Sequence, residues 1–562
     1  DHPDQQPQIG IPQGGLLDNN EASLSSWLAR LAADYDFRRG EHDFKAFAFA
    51  ELRTAHRTNT PFTGYGIQYD RGNQVYTSPL IFRKLAEENN YYFALRERND
   101  RGLTFSLNGT YGFAGRYVVN AVLNYESANT AGREAGTLWL PTWNLGAKWN
   151  IDREAFMRPF RNVSKLAVRL SYGLTAKMNE EAVNASAVYQ SGIVQRHRLG
   201  DRENKIDIRH LENRDLTWEK MYEWNVGLEL GLWNNRVSAT VDLYRRNSYD
   251  LIDRILTSGV GGQYYKYANF GDLRTVGAEI GVSTLNIKTE RFSWSTTLTL
   301  SAMDQKVTRL LNTPTALDMV AGRGRGNVVG FPRGSLFSYN FDGLDVNGLP
   351  TFDFGRYPLG AGDYAHIAGA DFLDTQYAKT YLIYHGPVEP RYTGGLSNVF
   401  HLGPWEFSFF VTMQAGNKLR LNPTFDPAFA DLNVFSKRYV DRWLNPGDEL
   451  RTDVPTLPSQ ALIDKVGREN IERAYNTYNY SQQMVADGSF VRLKNVAVAY
   501  TLSSAHLKRL PLSSASLRLN VTNPLLLYAD RQLHGQDPEY YRSGGVALPT
   551  PRQITLTLNL GF

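Results

Sequence analysis

The chain closes on Gln-Ile-Thr-Leu-Thr-Leu-Asn-Leu-Gly-Phe, residues 553 to 562. Ile554, Leu556, Leu558, Leu560 and Phe562 alternate with Gln553, Thr555, Thr557, Asn559 and Gly561. Apolar residues at every second position predict one strand with an apolar face and a polar face. The same pattern recurs in pairs. Val226, Leu228, Leu230 and Leu232 alternate with Asn225, Gly227, Glu229 and Gly231; after residues 233–236, Val237, Ala239, Val241 and Leu243 alternate with Ser238, Thr240 and Asp242. This reads as a tight hairpin. Leu103, Phe105, Leu107 and Tyr111 lead through a Gly-containing turn to Tyr117, Val119, Ala121, Leu123 and Tyr125. Further pairs fall at 27–37 with 43–53, 143–151 with 165–173, 278–287 with 292–302, 392–399 with 405–414, and 490–502 with 513–522. With the lone strand 552–562, period-two matching gives about seven hairpins plus one strand, or ~15 strands.

The connections decide which solvent the apolar faces meet. Within pairs they are mostly about 4–7 residues, up to ~13. Between pairs they are roughly 50 residues after Leu52, 50 after Gly173, 90 after Ala302 and 75 after Gln414. A soluble multi-domain β-protein accounts for hairpins but not for strict pairing with long loops between the pairs. An all-β, antiparallel transmembrane β-barrel accounts for both, with short periplasmic turns and long extracellular loops. On this reading 303–391 and 415–489 are extracellular loop insertions, and the apolar faces meet outer-membrane lipid.

Composition narrows the choice. No run of ~18 apolar residues predicts a transmembrane helix, but a spanning strand needs only about 9–11 residues, half of them polar. Aromatic residues make up 12% of the chain, and tyrosines close the apolar rows. Tyr111, Tyr117, Tyr125, Trp143 and Trp149 are candidates for a membrane-interface girdle. Cysteine is absent and the net charge is only +4, with no basic run of the kind that follows a phosphate backbone, so a nucleic-acid partner is not expected. Residues 1–15 have neither a basic n-region nor an apolar h-region, so an envelope reading expects a processed or incomplete chain.

Enzyme signatures are missing. The sequence has no Gly-x-Ser-x-Gly, P-loop, His-Glu-x-x-His or Cys/His cluster; neither catalysis, a cofactor nor a metal is expected. Asn120, Asn124, Lys148, Arg169, Asn225, Glu229, Glu406 and Gln414 are candidates for the polar interior wall, either contacting solute or simply solvating the wall. Asp342, Asp345, Asn347 and Asp353 carry oxygens that a calcium ion would accept, but their spacing does not fit an EF-hand, and Asp-Gly and Asn-Gly favour turns. In the segment 432–449, Phe435, Tyr439 and Trp443 lie near one face of a predicted short helix that ends at Asn445-Pro446-Gly447. They fit either packing on neighbouring loops or docking of a partner.

Several stretches carry a family resemblance. Asp-Gly-Ser-Phe-Val-Arg-Leu-Lys-Asn-Val at 487–496 resembles a signature of SusC-like TonB-dependent transporters of Bacteroidota, as do 212–246, 269–296, 390–398 and 443–449. The resemblance covers most of the chain from about residue 140. It implies a barrel of about 22 strands with a plugged lumen. The ~15 strands here would then be the C-terminal part of that barrel, without the plug and the first ~7 strands, since an open sheet edge in lipid is costly. An N-terminal barrel and plug segment is the implied partner within the barrel. The resemblance also implies a SusD-like lipoprotein lid, docked near Phe435, Tyr439 and Trp443. It implies energy from TonB–ExbB–ExbD, and import of a glycan or oligopeptide across the outer membrane. Phe562 would serve as an assembly signal or as a girdle residue. Two alternatives remain at this point: a TonB-dependent siderophore or vitamin receptor, and a SusC-like scaffold in an envelope assembly.

Overall fold

The computed structural model describes residues 14–75, 79, 81–82, 85, 92–129, 139–177, 188–195, 202–211, 216–257, 259, 265–321, 326–357, 359, 364, 366, 372–425, 437–502, 512–541 and 550–562. Fifteen strands form one sheet: β1 (Gly15–Arg39), β2 (His42–Ile67), β3 (Arg96–Phe113), β4 (Tyr117–Ala128), β5 (Trp139–Asn150), β6 (Val163–Lys177), β7 (Glu219–Leu232), β8 (Val237–Leu256), β9 (Tyr265–Lys288), β10 (Phe292–Leu310), β11 (Tyr392–Leu402), β12 (Trp405–Ala415), β13 (Phe490–Thr501), β14 (Ser514–Tyr528) and β15 (Gln553–Gly561). Their order in the sheet is their order in the chain. Each predicted hairpin is present. Among the described residues no helix is long and apolar enough to cross a membrane.

The strands are longer than their periodic stretches. β1 and β2 were expected at 27–37 and 43–53 but run to Gly15 and Ile67. Beyond the apolar rows both faces turn polar, as in Arg57-Thr58-Asn59-Thr60, and the two-residue rhythm fades while the ladder of hydrogen bonds continues. The tight ends use backbone that favours glycine or asparagine. Gly40 closes β1–β2 at φ 58°, and Trp233, Asn234 and Asn235 close β7–β8 at 51°, 55° and 60°.

Two compact units divide the chain. One holds residues to Ala147, Tyr172–Tyr222 and Ser248–Gly271; the other holds Lys148–Ser171, Glu223–Asn247 and Asp272–Phe562. In the first, β1–β4 align apolar rows such as Phe37–Phe44–Tyr111–Val119 and Ala33–Ala48–Leu107–Leu123. The opposite face carries Asp36–Lys45–Thr110–Asn120.

In the second unit the rows span six strands. Phe292–Leu402–Trp405–Tyr500–Leu517–Leu558 and Trp294–Phe400–Phe407–Val498–Leu519–Leu556 lie side by side. The other face reads Ser293–His401–Glu406–Ala499–Arg518–Thr557. The apolar side is the exposed side: Leu402 is 59% exposed, Trp405 51% and Leu558 61%. Hiding a large apolar side chain from water is worth about 1.5–3 kcal/mol. At about half exposure, the side chains of two such rows would cost roughly 9–18 kcal/mol if they faced water, about as much as the ~5–15 kcal/mol that holds a domain together. These rows therefore face an apolar medium. The polar exception proves consistent with it. Asn398, 6% exposed on the apolar face, accepts hydrogen bonds from Trp294 Nε1 at 2.9 Å and Thr296 Oγ1 at 2.7 Å, so the indole N–H and the hydroxyl keep a partner away from water.

β13 carries a bulge. Phe410 pairs with Asn495 but Val411 pairs with Leu493, so Lys494 is the extra residue. Val496 and Val498 lie on the apolar face; past the bulge Leu493 and Val491 keep it, while Arg492 and Phe490 turn to the polar face.

The insertions between β10 and β11 and between β12 and β13 are not extended loops. They fold into a dry core with Phe337, Tyr339, Leu349, Phe425, Tyr478 and Met484 inside. Helix α1 (Arg468–Asn479) presents Ile471, Ala474, Tyr475 and Tyr478 to it, the helical spacing of one buried face. Arg420 clamps three segments, donating Nη1–H to Ser338 Oγ and Ser481 O, each at 3.0 Å, and Nη2–H to Val320 O at 3.0 Å.

Candidate functional site

The polar face of the second unit gathers four charges from four successive strands. β5 places Lys148, β6 Arg169, β7 Glu229 and β8 Asp242. Lys148 Nζ donates to Glu229 Oε1 at 3.0 Å and Oε2 at 2.8 Å. Arg169 Nε stands 3.3 Å from Glu229 Oε1, and its Nη2 donates to Asp242 Oδ1 at 3.0 Å. Gly227 lies beneath: a Cβ there would sit 2.7 Å from Asp242 Oδ1 and 2.9 Å from Arg169 Nε. A side chain at 227 would wedge the pair apart. Two cations and two anions cancel, and all four remain partly open to water. Further out, Arg246 Nε donates to Glu223 Oε2 at 2.7 Å and its guanidinium lies 4.3 Å from the centre of the Tyr244 ring. Such a surface offers fixed, mutually satisfied charges, not a nucleophile beside a base. Among the described residues no group of three His, Cys, Asp or Glu is placed to hold a metal ion.

The remaining wall candidates share this polar face in their own units. Asn120 donates to Asn108 Oδ1 at 2.9 Å and Thr110 Oγ1 at 2.8 Å; Asn124 accepts from Ser106 Oγ at 2.6 Å. Asn225 alternates with the exposed Trp224 and Val226. Glu406 pairs with Arg518, which reaches over the small Ala499 between them, and His401 Nδ1 lies 3.8 Å away. Gln414 sits opposite Thr393 and Phe490 at the far end of β12.

Tyr111, Tyr117, Tyr125 and Trp149 are exposed on the apolar face. Trp149 donates Nε1–H to Glu154 Oε1 at 3.0 Å, holding the indole at the end of its strand. Trp143 is half-buried, edge-on to Tyr172 with ring centres 5.3 Å apart. Phe562 follows β15 and is 88% exposed.

The loop candidates resolve differently from the docking expectation. Phe435 lies outside the described residues. Tyr439 is buried against Phe425, ring centres 5.1 Å apart, on the 3₁₀ turn Lys437–Asp441 rather than on an α-helix. Trp443 is buried too; its ring covers Gly348, and its Nε1–H donates to Glu449 Oε2 at 2.9 Å. Both rings pack on neighbouring loops and offer no free surface. The exposed apolar side chains of the same segment are Val440, Leu444 and Leu450. The acidic stretch is a turn: Asp345 Oδ1 accepts from the backbone N–H of Asn347 at 2.9 Å and of Leu349 at 2.8 Å, and Asp353 caps Gly355 N–H at 2.8 Å.

Sequence reasoning passed over three features of this face. Asp242 and Arg518 belong to polar rows already recognised, and their charge was the available signal. Arg492, inside the signature stretch, forms a buried ion pair with Asp537, and Lys494 beside it lies 3.4 Å from Glu539. Arg53, Arg57 and Arg98 cluster on β2 and β3.

A protein-family model described as TonB dependent receptor-like, beta-barrel, matches residues 10–523. TonB-dependent receptor P39 of Formosa agariphila is 24% identical over 499 residues, covering 80% of this chain and 45% of that protein. TonB-dependent receptor SusC of Bacteroides thetaiotaomicron is 24% identical over 542 residues, covering 93% of this chain and 48% of that protein. The chain thus spans about half the length of the curated relatives it matches. The solved structure of the RagAB peptide transporter aligns with a TM-score of 0.74 at 20% identity, over 97% of this chain and 57% of that one. At that identity the likeness is one of fold.

Proposed function

The chain belongs to the TonB-dependent receptor-like β-barrel family, and on that premise we propose that it forms the wall of an outer-membrane importer of oligomeric nutrients. It is a transmembrane β-barrel chain of the outer membrane and not an enzyme. Its exposed rows face lipid, and the carrying observation is what lies behind them. The row that includes Phe400 and Phe407 is backed by one that includes His401, Glu406 and Arg518, so a single sheet separates lipid from a charged, water-facing surface.

On this reading the Lys148–Arg169–Glu229–Asp242 network lines the lumen. The insertions 303–391 and 415–489 stand on the extracellular side. A SusD-like lipoprotein covers that side, TonB–ExbB–ExbD energises uptake, and an N-terminal barrel and plug segment completes the pore. The match to TonB-dependent receptor SusC supports the coupling to TonB, the SusC-like sequence stretches suggest the lid and the plug segment, and the exposed Val440, Leu444 and Leu450 offer the lid a surface. Oligopeptides are the first cargo to test, because the RagAB neighbour is a peptide transporter, and glycans the second.

The test is intact mass and peptide mapping of the detergent-extracted complex, followed by uptake in cells with and without TonB. Co-purification of a lipoprotein and a plug-bearing segment, with TonB-dependent uptake, is the expected result. A chain that purifies alone and supports no uptake of either cargo class would overturn the reading.

A further inference from the structure

On the polar face of the first unit, small residues from neighbouring strands leave a hollow. Ser26 in β1 pairs with Ala55 in β2, and Gly102 in β3 pairs with Ala128 in β4. These short side chains form the floor of a cavity of about 420 Å³. Arginines stand around it. Arg57 and Arg98 are directly opposite one another across β2 and β3, a position where like charges repel.

Asp100 serves two of these arginines. Arg98 Nε lies 2.7 Å from Asp100 Oδ1, and Arg57 Nη1 lies 3.6 Å from Oδ2 of the same carboxylate. Arg53, four residues from Arg57 and on the same face, makes no ion pair or side-chain hydrogen bond among the described residues. The neighbouring Glu51 is already committed to Arg30. Arg57 and Arg98 therefore meet at one carboxylate, and Arg53 stands beside them at the concave site without an ion pair of its own. A guanidinium presents a planar fork of donors that matches an oxyanion edge to edge. Leu28, 53% exposed, and Leu24 border the hollow and supply apolar surface for the body that carries the anion.

We infer that this cavity binds a carboxylate or sulfate group on an oligomeric solute, with Arg53 as the uncommitted cation that receives it. The source of the solute rests on the import reading; the site itself does not.

The experiment titrates four probes calorimetrically into the detergent-solubilised full chain with its co-purifying subunits. They are tetraglutamate, tetraglutamine, a sulfated galactan tetrasaccharide and its desulfated form. At least one anionic probe is expected to bind about tenfold tighter than its neutral counterpart, with the difference shrinking between about 50 and about 300 mM salt as screening grows. Which anion binds assigns the source, acidic peptide or sulfated glycan. Arg53→Gln breaks no ion pair, so the fold, read as heat-modifiable gel mobility, should persist while anion affinity falls about tenfold. Lys45→Gln, on the same face but outside the hollow, should leave affinity unchanged. Equal binding of charged and neutral probes, no anion binding at low salt, or unchanged affinity in Arg53→Gln would overturn the site. Binding that depends on Arg53 without TonB-dependent uptake would overturn the import reading and leave the site standing.

Discussion

Arg492 and Asp537 form an ion pair whose side chains are 4% and 1% exposed, with Arg492 Nη2 2.5 Å from Asp537 Oδ1. Arg492 belongs to β13 and Asp537 to the connection between β14 and β15. Glu539 N–H at 3.0 Å and Thr550 N–H at 3.3 Å also donate to the Asp537 carboxylate. The pair ties that connection to the polar face of the wall.

Removing the arginine alone leaves a buried, uncompensated carboxylate. Arg492→Ala should cost about 3–5 kcal/mol, read as faster hydrogen exchange across residues 530–541 and a lower thermal midpoint. Burial pushes the Asp537 carboxyl up, but Arg492 and the backbone donors outweigh it, so the group lies below the usual carboxylate range. A depressed carboxylate stabilises fully above its unfolded value, about 3.9, and loses that contribution as pH falls through the lower folded value. Wild-type protection of 530–541 should therefore hold at about pH 5 and fail only below about 4. Failure already near neutrality would contradict the ion-pair account.

Lys148 and Glu229 should couple. Glu229→Gln leaves Lys148 and Arg169 facing one another with less counter-charge, so it should destabilise more than the matched double replacement Lys148→Met with Glu229→Leu. Because the pair is partly open to water, a double-mutant cycle on the thermal unfolding of the chain should return about 1 kcal/mol. A coupling indistinguishable from zero would reduce the network to solvated charges.

Asn398→Ala should strand the indole N–H of Trp294 and the Thr296 hydroxyl on the lipid side. The expected loss is about 1–3 kcal/mol. Combining it with Trp294→Phe and Thr296→Val should recover part of the loss, because the indole N–H and the hydroxyl are then gone and only the Asn286 amide, which donates to Thr296 Oγ1 at 2.7 Å, loses an acceptor. Equal stability of the single and triple variants would show that the bonds to Asn398 matter little.

The loop core should sense acid. Burial, reinforced by the charges of Arg420 and Lys418, pushes the His385 imidazole down to about 4. The unfolded chain takes up that proton near about 6.5, the folded chain only near 4. The contribution of His385 is thus complete above about pH 6.5 and erodes as pH falls towards 4. The thermal midpoint of the loop core should drop over that window, and His385→Gln should flatten the drop. An unchanged slope would assign the pH response elsewhere.

The wall was legible because lipid imposes a rule on each strand separately. Leu517, Leu519 and Val521 announce their face without knowledge of their neighbours, and the pairing of Leu519 with Val498 and Leu556 follows. The loop core was not legible because its contacts join distant segments. Arg420 reaches Val320, Ser338 and Ser481 mostly through carbonyl oxygens, which every residue possesses. Tyr439 and Trp443 looked like docking residues for the same reason: an amphipathic stretch does not say whether its apolar side meets a partner or its own chain. The arginine hollow was missed because the floor that creates it is a set of absences, Ala55 and Gly102 among them.

The bulge at Lys494 makes the reading frame of β13 a matter of counting. Were Lys494 to enter the ladder instead of bulging, plain alternation from Val496 and Val498 would bring Leu493 to the polar side and turn Arg492 outward, towards lipid and away from Asp537. Deleting residue 494 would instead remove the bulge and leave Leu493 and Arg492 on the faces they have, so a one-codon deletion there should be inherited about as harmlessly as a substitution. Across a population of related genes, the two-residue rhythm on each side of 494 should be held more strictly than the presence of residue 494 itself.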